Sequence, residues 1–215
     1  MKDNEEYIDY SNRMRKVRAF QFFGLTPLWH PGQKDVEGFC HDEVVRQFHD
    51  TKEWYDGGVR VEYMLNGWRY AEARAELTPT LDDVLKLGSL IEPKYNATKR
   101  RPDGEFRHEN VYIGDRMGVF PPYLQNAVEI LMTRAGDVVP GKVFNPDQFM
   151  SWLQVEDFKS QAEDIGSVDE WYLAYEWIHP FRDGNGRTGK ILHNWLNGTL
   201  FDPVLVPDYF GGGNP

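Results

Sequence analysis

A single cysteine, Cys40, in 215 residues excludes an intramolecular disulfide and leaves a thiolate-rich metal site without ligands. The histidines do not fill that gap, because the spacing of His30, His41, His49, His108 and His193 matches no metal-binding signature. Long apolar runs are also missing. Nothing approaches the roughly 18 consecutive apolar residues of a membrane span, and the charged opening Met1 to Lys16 has no signal-peptide core. The expectation is a soluble, cytoplasmic chain with no membrane partner. Positive charge is in short supply: the formal net charge is -10. Such a field repels nucleic acid and anionic lipid, so no specific nucleic acid is expected, although a local cationic pocket can still take a nucleotide. No repeat or low-complexity tract is present, and the longest loop-like stretch is the polar run from about Pro93 to Arg107.

Apolar content is ample, at 40% hydrophobic and 14% aromatic residues, enough for one core or two joined lobes. Helical periodicity dominates. Val36, Phe39, Cys40, Val44 and Phe48 recur at spacings of three and four after Pro31-Gly32, which places them on one helix face. Val61, Leu65, Trp68 and Ala75 predict a second helix, and Leu81, Val84 and Leu85 a third after the Thr78-Pro79-Thr80 start signal. Around a Gly114–Gly118 turn, alternation from Val111 to Phe120 predicts a short β-hairpin. Pro121-Pro122 opens a helix carrying Leu124, Ala127, Val128, Leu131, Met132 and Ala135, and Asn145-Pro146 opens another. Ser167 and Glu170 form a capping-box pattern for a helix burying Trp171, Ala174, Tyr175 and Ile178. It must end near His179, because the residue before Pro180 is pushed out of the α region. A last helix, from about Arg187 to Asn197, buries Ile191, Leu192, Trp195 and Leu196 and stops at Gly198.

Between these last two helices runs His179-Pro-Phe-Arg-Asp-Gly-Asn-Gly-Arg187-Thr-Gly-Lys190. Gly184 and Gly186 allow a sharp turn with uncovered amides, and the next helix directs its positive end at the same point, which describes an anion nest. Arg187 and Lys190 add positive charge, Asn185 an amide, and Asp183 a carboxylate able to hold Mg²⁺ beside phosphates. His179 sits at the edge, where a neutral imidazole can take a proton from a hydroxyl. Phe181, apolar in a polar loop, is expected to anchor the turn in the core.

This segment resembles the signature of the Fic (Fic/Doc) family, H-P-F-x-[DE]-G-N-G-R-x-x-R, at every fixed position except the last, where Lys190 stands for arginine. Upstream, Gly104-Glu-Phe-Arg107, Val111-Tyr-Ile-Gly114 and Phe120-Pro-Pro122 resemble the family's segment around its flap hairpin. The resemblance covers roughly residues 33–200. It implies an all-α fold, a helical core with one short hairpin flap, and protein AMPylation: adenylyl transfer from ATP to a Ser, Thr or Tyr hydroxyl of a target protein. It implies His179 as general base, Asp183 for Mg²⁺, Asn185 with the backbone of Gly184 and Gly186 for the α-phosphate, and Arg187 for the outer phosphates. Lys190 would add charge without the bidentate fork of arginine. The flap, with Val111, Tyr112, Ile113 and Gly114, would pair with an extended target segment by strand addition.

Many relatives carry an inhibitory helix, [ST]-x-x-x-E-[GN], whose glutamate engages the second arginine. Gln33-Lys-Asp-Val-Glu37-Gly38 resembles it, with Gln33 in place of Ser or Thr and Glu37 as the inhibitory residue. The division expected is an N-terminal extension over 1–30, a helical region with the inhibitory helix over 31–92, the Fic core over 93–200 and a tail over 201–215. Alternatives are Doc-like phosphotransfer or another nucleotidyl transfer on the same fold, and a catalytically silent binding module. The Asp183-Gly-Asn-Gly186 run favours AMP transfer, since Doc relatives tend to have Ala and Lys at the two glycine positions. A P-loop reading of Gly184 to Lys190 lacks the following Ser or Thr and the preceding strand. Toxin and phage settings are both compatible with the family.

Overall fold

A computed structural model describes residues 35–48, 57–113, 116–140 and 162–207. The helix expected after Asn145, the N-terminal extension, Gly114 and the end of the tail lie outside these residues. The described chain is all-α with one short hairpin: helices α1 (Val36–Phe48), α2 (Gly57–Glu72), α3 (Leu81–Ile91) and the single turn α4 (Pro93–Asn96), strands β1 (Tyr112–Ile113) and β2 (Arg116–Met117), a 3₁₀ turn over Pro121–Tyr123, and helices α5 (Leu124–Arg134), α6 (Val168–Ile178) and α7 (Asn185–Leu196).

Two helices start where the sequence predicts, and for the predicted reason. Thr80 caps α3 by accepting from the Asp83 amide while the Asp83 side chain accepts from the Thr80 amide, and Ser167 and Glu170 do the same for α6. Each capping box satisfies two backbone donors that a helix end leaves unpaired. Pro121 and Pro122 open a 3₁₀ turn, and the α-helix proper begins at Leu124.

The core forms where α6 and α7 pack on each other, with α2 and α3 against α7, α1 on α2 and α5 on α6. Trp68, Val84, Leu87, Ile91, Leu131, Trp171, Tyr175, Ile178, Ile191 and Leu192 are all fully buried. Burying each large apolar side chain contributes about 1.5–3 kcal/mol. Three indoles are also fixed by hydrogen bonds, Trp68 Nε1 to the Leu200 carbonyl at 2.9 Å, Trp171 Nε1 to Leu131 at 3.0 Å and Trp195 Nε1 to Leu77 at 2.8 Å. Cys40 is buried on α1, and burial pushes its thiol up to about 12, so it carries no nucleophilic chemistry. His193 is a core histidine, its ring 2.8 Å from Asp169 of α6.

Candidate active site

The loop from His179 to Gly184 joins the two central helices, and its anchor is Phe181. That ring is fully buried, lies 5.6 Å from Phe106 and rests so closely on Gly88 of α3 that a Cβ there would overlap it. Asn185 then closes the loop on itself: its Oδ1 accepts from the Phe181 amide and its Nδ2 donates to the Phe181 carbonyl, both at 2.8 Å. The side chain expected to offer a donor to phosphate is therefore engaged in shaping the turn. Asn96 adds a third tie, from Nδ2 to the Asp183 carbonyl at 2.7 Å.

At the end of the loop, Gly184 has φ 80°, a left-handed conformation open to glycine at little cost. A Cβ there would also sit 2.8 Å from Cγ2 of Ile91. This turn lets α7 begin at Asn185, two residues before the sequence-based start at Arg187. The helix thus begins inside the signature, and no side chain caps its N-terminus. An uncapped N-terminus carries about half a positive charge and outward-facing amides, a binding site for an anion.

His179 holds the opposite edge. It is also left-handed, at φ 51°, alone among the described non-glycine residues, and such a backbone costs about 1 kcal/mol or more unless its surroundings impose it. They do. The His179 amide donates to Tyr175 at 3.0 Å, while Arg107 Nε donates to the His179 carbonyl at 2.7 Å and Arg107 Nη2 to Ile178 at 3.2 Å. The ring's Nδ1 lies 3.2 Å from the Glu176 carbonyl. A carbonyl only accepts, so Nδ1 carries the proton and Nε2 keeps a free lone pair. Burial, aided by the Arg107 charge, pushes the imidazole down to about 4, against its hydrogen bond to Glu176 and the Asp183 carboxylate. At neutral pH the ring is an uncharged acceptor.

Arg107 appeared in the sequence only as part of a flap-flanking segment, yet it ties flap to loop. Besides the His179 and Ile178 carbonyls, it donates to Glu109 at 2.6 Å and Val119 at 2.5 Å, and its amide reaches Pro180 at 3.0 Å. The hairpin pairs Tyr112 with Met117 and Ile113 with Arg116, Val111 accepts from Gly118 at 3.0 Å, and Tyr112 stands exposed.

The charged residues fall into two buried groups. Asp183, part-exposed, accepts from the Gly184 amide at 2.6 Å and lies 3.4 Å from both Arg187 Nη2 and Arg60 Nη1. Both guanidiniums converge on Glu92 Oε2, Arg60 at 2.8 Å and Arg187 at 2.9 Å, and Arg187 is fully buried. Neither Arg60 nor Glu92 stood out in the sequence, because partners 32 and 95 residues apart leave no local spacing to read. The second group surrounds Lys190, which is buried and paired with Glu43 of α1. Glu176 lies beside this pair. Burial and the Glu43 charge raise its carboxyl to about 7 against the pull of Lys190, and its Oε1 meets no hydrogen-bond partner.

From α1, then, the carboxylate that reaches α7 is Glu43, whereas Glu37 is exposed in the first turn. Gln47 of the same helix brings Nε2 to 3.8 Å from where a Cβ of Gly186 would stand. The first helix thus lies against the start of α7.

The family model described as Fic/DOC family matches residues 77–196, which takes in the hairpin, the loop and both central helices. The chain belongs to the Fic/DOC family. A protein adenylyltransferase Fic of Drosophila mojavensis is 32% identical over 130 residues, covering 60% of this chain and 21% of that protein. One from Drosophila virilis is 31% identical over 134 residues, with 61% and 23% covered. A Fido domain-containing protein of Dictyostelium discoideum is 29% identical over 105 residues, 49% of this chain and 61% of that one. This Fic/DOC chain spans about a fifth of the length of the insect relatives it matches. No helix among its described residues is long and apolar enough to cross a membrane.

Proposed function

We propose that this protein transfers the AMP part of ATP to a hydroxyl of a target protein. The observation that carries this reading is the pairing of an uncharged His179, its Nε2 lone pair free, with an uncapped helix N-terminus at the other end of one short loop. The relatives named as adenylyltransferases support it. In this reading His179 Nε2 takes the proton of the target hydroxyl, the oxygen attacks the α-phosphorus in line, and the bond to the bridging oxygen breaks to release pyrophosphate. The turn at Gly184, Asn185 and Gly186 and the N-terminal end of α7 hold the α-phosphate. Arg187, fixed on Glu92, contributes positive charge from beneath the outer phosphates.

Asp183 fits a Mg²⁺ ligand: its carboxylate is the part-exposed one at the loop, with 31% of the side chain accessible, and hard cations bound with phosphates take few protein oxygens. Among the described residues no cluster of three or more ligating side chains exists. Mg²⁺ bound there would neutralise charge on the phosphates. The flap at Val111 to Gly114 presents the target segment, and its base is held to the His179 loop through Arg107.

The helical region over 31–92 acts as a brake on the core over 93–200 in this proposal, and the contact that supports it is Glu43 on Lys190. A lysine neutralised by a buried glutamate is withheld from phosphate. Glu43→Ala is expected to tighten ATP binding and raise self-modification by about tenfold, roughly the worth of one charge-assisted contact, while Glu37→Ala changes neither. Titration with a fluorescent ATP analogue checks this, and activation by Glu37→Ala alone would move the brake back to that residue.

A further inference from the structure

Beside the loop lies a second feature that the AMP-transfer reading does not use. Lys99, Arg100 and Arg101 stand together on an exposed turn, with Thr98, Glu105 and His108 around a cavity of about 570 Å³. The turn is built rather than loose. Thr98 and Arg101 exchange backbone hydrogen bonds at 3.1 and 3.2 Å, the Glu105 amide donates to Asn96 at 2.9 Å, and Gly104, at φ 110°, presses on the Leu85 carbonyl where a Cβ would clash. Across His108 a second cavity of about 470 Å³ opens, lined by Asn110, Phe120, Pro121 and Pro122 at the base of the flap. His108 lines both, so the two form one groove with a cationic end and an apolar end. Phe120, with Tyr123 beside it, is exposed at the apolar end.

The pairing of charges decides what the cationic end is for. Four other described cations have carboxylate partners, Arg182 with Glu109 at 3.1 Å, Lys86 with Asp103 at 3.0 Å, Arg134 with Asp137 at 3.0 Å and Arg74 with Asp83 at 2.9 Å, while Lys94 lies over the Tyr95 ring and Arg107 is taken up by backbone carbonyls. Lys99, Arg100 and Arg101 form no ion pair with a described carboxylate, and three adjacent like charges repel one another. In a protein of net charge -10, a cationic triplet on a hydrogen-bonded turn, without a carboxylate partner among the described residues, is complementary to an acidic ligand. The apolar half, continuous with the flap, favours polypeptide over nucleic acid.

We infer that this groove docks an extended polypeptide segment of the target, acidic where it meets Lys99, Arg100 and Arg101 and apolar where it meets Phe120, Pro121 and Pro122. Its use as a substrate site rests on the AMP-transfer reading, whereas its binding does not, and the test separates the two. Fluorescence anisotropy without nucleotide would compare a synthetic peptide with an Asp/Glu half and an apolar half against the same peptide with Asn/Gln in the acidic half. The acidic peptide should bind about tenfold more tightly, a margin that shrinks with added salt, as expected for three screened surface charges. Lys99→Ala/Arg100→Ala/Arg101→Ala should abolish the margin while leaving ATP affinity unchanged. The reversal Arg100→Glu/Arg101→Glu should instead prefer a peptide with a lysine half, and Phe120→Ala should weaken acidic and neutral peptides alike. Equal binding of the acidic and neutral peptides to the wild type would overturn the proposal. So would a single-stranded oligonucleotide that binds the triplet more tightly than the acidic peptide.

Discussion

Replacing His179 with alanine is expected to lower AMP transfer by about a hundred- to ten-thousand-fold, the usual contribution of a positioned general base, and to leave ATP binding near the wild-type level. The imidazole sits at the edge of the loop, and the end proposed to hold phosphate belongs to α7. Because burial holds the ring at about 4 rather than 6.5, the base is unprotonated throughout the neutral range. Protonation removes the acceptor, so activity attributable to this group is full above that value and falls as pH drops through about 4. Glu176, raised to about 7, is the other group titrating near the loop, and Glu176→Gln takes it out of the profile. Single-turnover assays with labelled ATP provide the measurement. Unchanged transfer by His179→Ala would remove His179 from the base role, and an acid limb centred near 6.5 that survives Glu176→Gln would show the ring titrating at its ordinary value.

The second large effect concerns stability. Glu92 is the shared anchor of Arg60 and Arg187, all three buried. Glu92→Ala is expected to destabilise the fold by about 3 kcal/mol, the lower end of the cost of stranding a buried charge, because Asp183 remains 3.4 Å from both guanidiniums. Glu92→Gln keeps the shape and one acceptor and should cost less. Urea unfolding checks both, and a loss under about 1 kcal/mol for the alanine variant would show that Asp183 suffices.

Much of this architecture was legible because it rests on local signals. The capping patterns at Thr80 and Ser167, the proline after His179 and the glycine at 184 act within a few residues, and the structure places helix ends and turns at them, whereas Gly186 lies within the first turn of α7. Phe181 could be read as an anchor from its apolar side chain in a polar loop. What escaped the sequence was long-range. Glu43 meets Lys190 across 147 residues, a contact that no local spacing announces, while Glu37 of the same helix stands exposed in its first turn. Helical phase separates the two, since six residues on α1 rotate a side chain by about 240°. Asn185 was read as a phosphate donor from its residue type, and its position four residues after Phe181 also lets its side chain close the loop. Arg107 gave no periodic signal because its partners are carbonyls from three separate segments.

The most direct test follows which phosphorus of ATP ends on protein. Glu43→Ala protein incubated in parallel with α-labelled and γ-labelled ATP should retain label from the α-position only, with a mass gain equal to AMP. Label retained from the γ-position, or ATP bound with no label transferred from either, would contradict the account and leave a phosphotransferase or a silent binding module in its place.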